Sequence, residues 1–306
     1  MDLRQLAYVV AIEDHGGFTR AAEAMHVAQP SLSQAVRSLE AELGVELFHR
    51  SARRVVLTAA GEALLGPARQ ALRDAETARA AVADVAGLAA GRLDLVSLPT
   101  LAVDPAAGLI GAFRRAHPGI AVRLVEPEDA AAVAGRVREG TSELGFAELP
   151  VAEPSVESHE LEAQEFVALV PAALAAERTS SRWSLRSLAR QPIVTTPPGT
   201  STRRQIDEAL ADLDLRIEVA VETDHREAIG PLVRAGAGVA VLPRLLADQA
   251  ANRQAVVREV TPRIVRRVGI IHRPGPLSPA AHAFLALALG QERRPRERPA
   301  PRRRRP

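Results

Sequence analysis

Residues 29–37 read QPSLSQAVR. Gln29, Ser31, Ser33 and Gln34, with Arg37 one turn on, offer short amides, hydroxyls and a guanidinium. Such groups reach base edges and phosphates when a helix start enters a major groove. The partial positive charge at that start also favours phosphate. Arg50, Arg53 and Arg54 follow as a local basic cluster. Further along, Thr100 and the run Thr200, Ser201, Thr202 each stand where a strand gives way to a helix. Hydroxyls and free backbone N–H groups at a helix N-terminus suit a carboxylate or another anion. Thr223 is a neighbour to this second group. Ordinary N-capping is the competing reading for each of these hydroxyls. Arg203 and Arg204 lie in a first turn, where they either sense an anion or face water.

The first group needs a corner in the backbone to position it. In FTRAAEAMHVAQPSLSQAVRSLE, residues 18–40, almost every residue suits a helix, yet Pro30 lies in the middle. Inside a helix a proline removes a hydrogen bond and clashes with the preceding turn. At the first position of a new helix its missing N–H costs nothing. The sequence therefore predicts two helices. One runs from a Thr19 cap to about Met25, and one from Pro30 to about Leu43, stopped by Gly44. His26 falls in the turn with φ above zero. Val27, Leu32, Val36 and Leu39 form the buried stripe, and Ala21 and Ala22 permit a close crossing. This is a helix-turn-helix.

Around it, residues 3–14 form an amphipathic helix ended by Gly16-Gly17. Residues 45–58 read as a small hairpin, a wing carrying Arg50, Arg53 and Arg54. Thr58 caps a long helix running to about Ala86, with Pro67 expected to kink it. Along it Leu57, Gly61, Leu64, Ala68, Ala71, Ala75, Ala78, Val82 and Val85 alternate in steps of four and three. That heptad spacing points to a paired helix and hence a dimer. From Arg92 strands and helices alternate, which predicts mainly parallel sheets in two α/β subdomains. The first block holds strands RLDLVSL, IAVRLVE and ELGFAEL, with helices over 104–116 and 130–139. The second runs from EFVALVP through PIVTTP, EVAVET and GVAVLPRLL to RRVGIIHRP, with helices near 202–213 and 226–235. The expected domains are 1–58, 59–87 and 91–290, followed by a disordered Arg/Pro-rich tail, 291–306.

Composition narrows the function. The chain of 306 residues has no cysteine, which excludes disulfides, thiolate catalysis and a cysteine redox switch. Its eight histidines show no metal-ligand spacing on one helix face, so no metal ligands are assigned. No apolar run is long enough to span a membrane, and the N-terminus lacks a signal-peptide pattern, so a cytoplasmic protein is expected. The net charge of +2 divides unevenly: the tail, with eight Arg and two Glu, is +6, leaving −4 for the rest. The high pI therefore does not argue for nucleic-acid binding by the folded part. Residues 1–58 hold six Arg against seven acids, among them Glu13, Glu40 and Glu42, which are expected to face away from DNA. There is no G-x-S-x-G elbow or phosphate-binding loop, and Gly236-Ala237-Gly238 is half of a dinucleotide motif. No catalytic residue and no cofactor are assigned. Asp224, His225 and Glu227 are adjacent in sequence, which makes no triad.

Residues 1–65 closely resemble the N-terminal domain of the LysR-type transcriptional regulators. The resemblance rests on F-T-x-A-A, then Q-P-x-L-S, then L-E-x-x-L-G-x-x-L-F-x-R, then L-T-x-A-G. FRRAHPGIAVRL and GAGVAVLP extend it through about residue 290. It implies DNA-contact roles for Thr19, Gln29, Pro30, Ser31, Ser33, Gln34 and Arg37, and for Arg53 on the wing. It also implies pairing through the long helix, a homodimer or homotetramer, and RNA polymerase as a further partner. One departure is Glu143-Leu144-Gly145-Phe146, where the family commonly has Asp-Leu-Ala.

The expected fold is α/β: an N-terminal winged helix-turn-helix, a long linker helix, and a two-subdomain effector-binding domain like that of periplasmic binding proteins. The expected function is a sequence-specific DNA-binding regulator controlled by a small anionic effector held by Thr100, Thr200, Ser201, Thr202 and Thr223. Two rivals are a solute-binding protein, which would need an export signal, and an enzyme built on the α/β half.

Overall fold

The computed structural model describes residues 1–50, 55–84, 91–177 and 182–290. The head opens with α1 (Leu3–His15), started by a reciprocal capping box between Asp2 and Gln5 and stopped by Gly16 at φ 66°. Next come α2 (Phe18–Ala24) and α3 (Gln29–Leu43), then β1 (Phe48–Arg50) and β2 (Val55–Leu57), which pair antiparallel as a hairpin. Leu32, Val36 and Leu39 of α3 are fully buried against Val9, Ile12, Ala21 and Phe48. The corner at residues 25–28 is made as the sequence requires, with His26 at φ 53° and Gly44 at φ 71° closing α3.

Two details differ from expectation. Pro30 is the second residue of α3, still in the first turn, where its missing N–H has no helical partner. Thr19 is not a cap: α2 begins one residue earlier, because Phe18 turns its ring onto Phe48, centroids 5.6 Å apart, leaving Gly17 at the cap.

The linker α4 (Ala59–Asp84) is capped by Thr58, whose Oγ1 accepts the Gly61 N–H at 3.1 Å. It continues through Pro67. The first part of its small-residue stripe is used inside the head. Gly61 and Ala68 are buried, and Leu64 packs on the head core. Arg69 pairs with Asp14 of α1. Val85 and the 85–90 boundary lie outside the described residues, as does the tail.

The remainder holds two lobes. The first begins with β3 (Gly91–Ser97), α5 (Pro99–Leu101), α6 (Ala107–Ala116), β4 (Ile120–Val125), α7 (Ala130–Arg138), β5 (Leu144–Glu148) and β6 (Glu157–Glu160). The second holds β7 (Gln164–Pro171), α8 (Ala172–Ala176), β8 (Arg182–Ser184), α9 (Leu185–Leu188), β9 (Pro192–Thr195), α10 (Ser201–Ala211), β10 (Glu218–Glu222), α11 (Arg226–Arg234), β11 (Ala240–Pro243), α12 (Arg244–Ala250), β12 (Ala255–Thr261) and β13 (Ile264–Arg266). Then β14 (Val268–His272) and α13 (Pro279–Ala288) return to the first lobe. The first sheet has the order β4-β3-β5-β14-β6, and Phe284 of α13 packs edge-on against Phe113 and Phe146. In the second lobe β7 is central, flanked by β11, β12 and β13.

The sheets are mixed rather than mainly parallel: β3 pairs parallel with β4 and β5, but β7 pairs antiparallel with all three of its neighbours. The strand expected to end the second block, β14, belongs to the first sheet instead. The helix expected from Asp104 starts at Ala107, since Pro105 holds Asp104 extended at φ −147°, ψ 117°. The stretch after Pro243 is helical, not strand. Between lobes the chain passes through residues 161–163 and back through Arg267. The two passages lie side by side, with Leu161 N–H donating to the Val268 carbonyl at 2.9 Å.

Glu143 and Gly145, the departure in the first lobe, both have structural work. The Glu143 carboxylate accepts the Ser278 N–H and hydroxyl, each at 2.8 Å, at the start of α13. A side chain on Gly145 would place Cβ 2.9 Å from Val137 Cγ2 of α7, so α7 lies close on the sheet.

Candidate nucleic-acid interface and ligand cleft

The start of α3 is open. Its cap residue is Ala28, and no side chain caps it. Gln29, Pro30, Ser31, Gln34 and Arg37 are exposed, as is Thr19 on the neighbouring helix. Ser33 is not: it is 8% exposed and lies on the inward side with Leu32 and Val36. The expectation that Ser33 points outward is corrected by that phase of the helix. Arg37 bends back, its Nε 3.4 Å from the Ser33 carbonyl. Two of the three acids named in the head are engaged elsewhere. Glu40 accepts the Leu47 N–H at 2.9 Å, and Glu42 pairs with the Met1 ammonium. On the wing, Arg50 ends β1, while Arg53 and Arg54 lie outside the described residues.

Between the lobes is a cleft of about 590 Å³ lined by Thr100, Thr196, Thr202, Glu128 and Arg226, among others. Thr100 enters from the first lobe, one residue into α5; Thr202 enters from the first turn of α10 in the second. Behind Thr100 stands a residue that the sequence reading did not select. Arg266, at the end of β13, is 1% exposed. Its Nη2 donates to Thr100 Oγ1 at 2.7 Å and to the Gln164 side-chain carbonyl, and its Nη1 lies 3.4 Å from Ser201 Oγ. The guanidinium also rests over the Phe166 ring, 5.2 Å from the centroid. No carboxylate hydrogen-bonds to it among the described residues, and its Nε is buried without a partner there. Burial lowers its pKa to about 10, against the opposing pull of Glu148. The group stays charged at neutral pH.

The five hydroxyls selected from the sequence divide. Thr100, Ser201 and Thr202 converge around Arg266 and the cleft. Thr202 Oγ1 is buried and lacks a partner among the described residues. Thr200 is the N-cap of α10, accepting the Arg203 N–H at 3.3 Å and bonded to Thr196 at 2.7 Å, so it shapes the turn. Thr223 accepts the His225 N–H at 3.1 Å and is not among the cleft-lining residues. Arg203 and Arg204 are ion-paired, with Asp207 at 2.9 Å and Glu148 at 2.7 Å. Arg204–Glu148 and Arg226–Glu128 both tie the second lobe to the first. Arg266 did carry a sequence signal. Ile264, Arg266 and Val268 share the inward phase of an alternating stretch, with an arginine where an apolar residue belongs.

Residues 3–62 match the bacterial regulatory helix-turn-helix model of the lysR family, and residues 86–293 match the LysR substrate binding domain. The chain belongs to the LysR family. It is 30% identical to the SDS degradation transcriptional activation protein of a Pseudomonas species, over 96% of this chain and 97% of that one. It is also 30% identical to the RuBisCO operon transcriptional regulator of Allochromatium vinosum, with the same coverage. A full-length OxyR variant of Pseudomonas aeruginosa superposes with a TM-score of 0.77 at 28% identity, over 95% and 94% of the two chains. CbnR in complex with its target DNA shares the fold at TM-score 0.65 and 23% identity, over 95% and 100%. This LysR-family chain is thus a DNA-binding transcriptional regulator with an effector-binding domain, and not an enzyme. Among the described residues no helix is long and apolar enough to cross a membrane.

Proposed function

We propose that this regulator reads a specific duplex sequence with the start of α3 and answers a small anionic effector in the cleft between its lobes. Gln29, Ser31, Gln34 and Arg37, with Thr19 and Pro30 beside them, meet bases and phosphates, and Arg50, Arg53 and Arg54 on the wing neutralise phosphate. Ser33 supports the helix from within. Two heads, paired through α4 in a homodimer or homotetramer, address half-sites about one helical turn apart or a multiple of it. RNA polymerase is the partner through which the bound regulator acts, in the cytoplasm.

The observation that carries the effector's charge is Arg266, a buried cation without a bonded carboxylate among the described residues. Its donation to Thr100 polarises that hydroxyl, which then donates toward the cleft. A carboxylate or phosphate at Thr100 and Thr202 supplies the missing negative charge, helped by the α10 N-terminus. An effector that bridges Thr100 and Thr202 favours one arrangement of the lobes and so biases the heads.

The test is calorimetric titration of the full chain with small carboxylates and phosphates, each paired with its neutral amide or alcohol. Binding of an anion but not of its neutral partner is expected. Equal affinity for both would overturn the anionic assignment. Genome-wide mapping of bound sites tests the DNA reading, and absence of any enriched sequence would overturn it.

A further inference from the structure

Away from the cleft, three side chains with metal-ligating atoms meet on one face of the first sheet. In the antiparallel pair of β14 and β6, His272 lies opposite Glu157 and Ile270 lies opposite His159. Residues opposite one another share a face, and so do residues two apart along a strand. Glu157, His159 and His272 therefore all project to the same side, with His159 diagonal to His272. Their donor atoms lie within 4.8 Å of one another. His159 Nε2 is 2.9 Å from His272 Nε2, and Glu157 Oε2 is 3.7 Å from His272 Nε2.

The second observation concerns the ring of His272. It is buried, and its Nδ1 lies 2.7 Å from the Arg273 carbonyl oxygen. A carbonyl only accepts, so Nδ1 carries the proton and the Nε2 of the neutral ring presents a lone pair. That lone pair faces His159 Nε2. A backbone carbonyl fixing the far nitrogen of an imidazole is one of the supports, with carboxylates and water, that metal-bound histidines almost always have. Without an ion the contact needs a proton on His159 Nε2; a divalent cation between the rings replaces it.

We infer that Glu157, His159 and His272 form a binding site for a zinc-class divalent transition metal ion, with a fourth position left to water. Two imidazoles and one carboxylate suit that class, and the oxygen-only preference of calcium or magnesium argues against those ions. Zinc–ligand bonds of about 2.0–2.1 Å in a tetrahedron separate two ligand nitrogens by roughly 3.3 Å. The rings need to part by only a few tenths of an ångström from their present spacing. The rings must also turn, since a tetrahedral ion lies off the line joining the two nitrogens and each lone pair has to swing by roughly 35° to meet it. Sequence spacing hides the site because His159 and His272 are 113 residues apart. An ion here ties the edge strand β6 to β14.

The experiment uses the full chain with any purification tag removed, stripped with a chelator and titrated with zinc. One equivalent is expected to bind, and cobalt(II) in its place is expected to give visible bands of a tetrahedral nitrogen–oxygen site. His159→Gln and Glu157→Gln lie on exposed or half-exposed positions and leave the metal-free melting temperature unchanged. Each is expected to weaken zinc at least tenfold and to abolish the zinc-dependent rise in melting temperature. Undiminished zinc affinity in the double variant, or no binding by the parent chain at micromolar zinc, would overturn the assignment.

Discussion

Arg266, on a strand of the second lobe, donates to the Thr100 hydroxyl of the first at 2.7 Å, and no carboxylate bonds to it among the described residues. Charged groups taken from water without an opposite charge bonded to them cost several kcal/mol even when neutral groups accept their hydrogen bonds. Arg266→Met should therefore leave the melting temperature unchanged or higher while weakening the anionic effector at least tenfold. A thermal melt and a titration on the same preparation check both. A large drop in melting temperature would make Arg266 a structural residue.

On the head, Gln29→Ala should reduce discrimination between operator and random DNA, whereas Arg53→Ala should weaken both and flatten the salt dependence by about one unit of slope. Ser33→Ala, inside the head, should change neither preference. Fluorescence anisotropy on specific and scrambled duplexes at several salt concentrations separates the three outcomes. Equal loss on both duplexes for Gln29→Ala would contradict a base-reading role.

Gly61→Ala sets two effects against each other. Alanine in place of glycine within a helix normally gains about 1 kcal/mol. Here the added Cβ would stand 2.2 Å from the Leu47 carbonyl oxygen and 2.8 Å from Leu57 Cδ2. The backbone oxygen cannot turn aside, so overpacking should win, with a net loss of roughly 1–3 kcal/mol. Urea unfolding checks the sign.

Acid should loosen the second lobe through Glu165. Arg244 and Arg263 hydrogen-bond its carboxylate, and Arg244 is the larger cause of a pKa below the ordinary carboxylate value. A depressed pKa means that the unfolded chain takes up the proton first. The stabilisation is full above the ordinary carboxylate value and is lost as pH falls through the lower, folded one. Glu165→Gln should show a smaller fall in stability between about pH 6 and pH 3, by up to about 1 kcal/mol for a pair this open to solvent. Parallel curves for parent and variant would remove Glu165 from the account.

The head was legible because its punctuation is local. Pro30, His26, Gly44 and Thr58 each enforce a backbone state within a few residues of themselves. Ser33 runs against its polarity, because the helical phase puts it beside Leu32 and Val36 on the inner face. In the lobes, β6 reads ESHE and has no apolar run to announce it. The return of β14 to the first sheet depends on pairing across more than a hundred residues. Arg266 is 166 residues from Thr100 and 65 from Ser201, so only the folded chain brings the cation to the hydroxyls.

The doubled passage between the lobes has a mechanical consequence. Two adjacent passages tied by the Leu161 to Val268 hydrogen bond bend across their plane more readily than they slip past each other, because slipping breaks that bond. Such a joint favours rocking of the lobes over gliding. Arg266 stands next to the return passage at Arg267, so the guanidinium that meets Thr100 lies where the two lobes are joined.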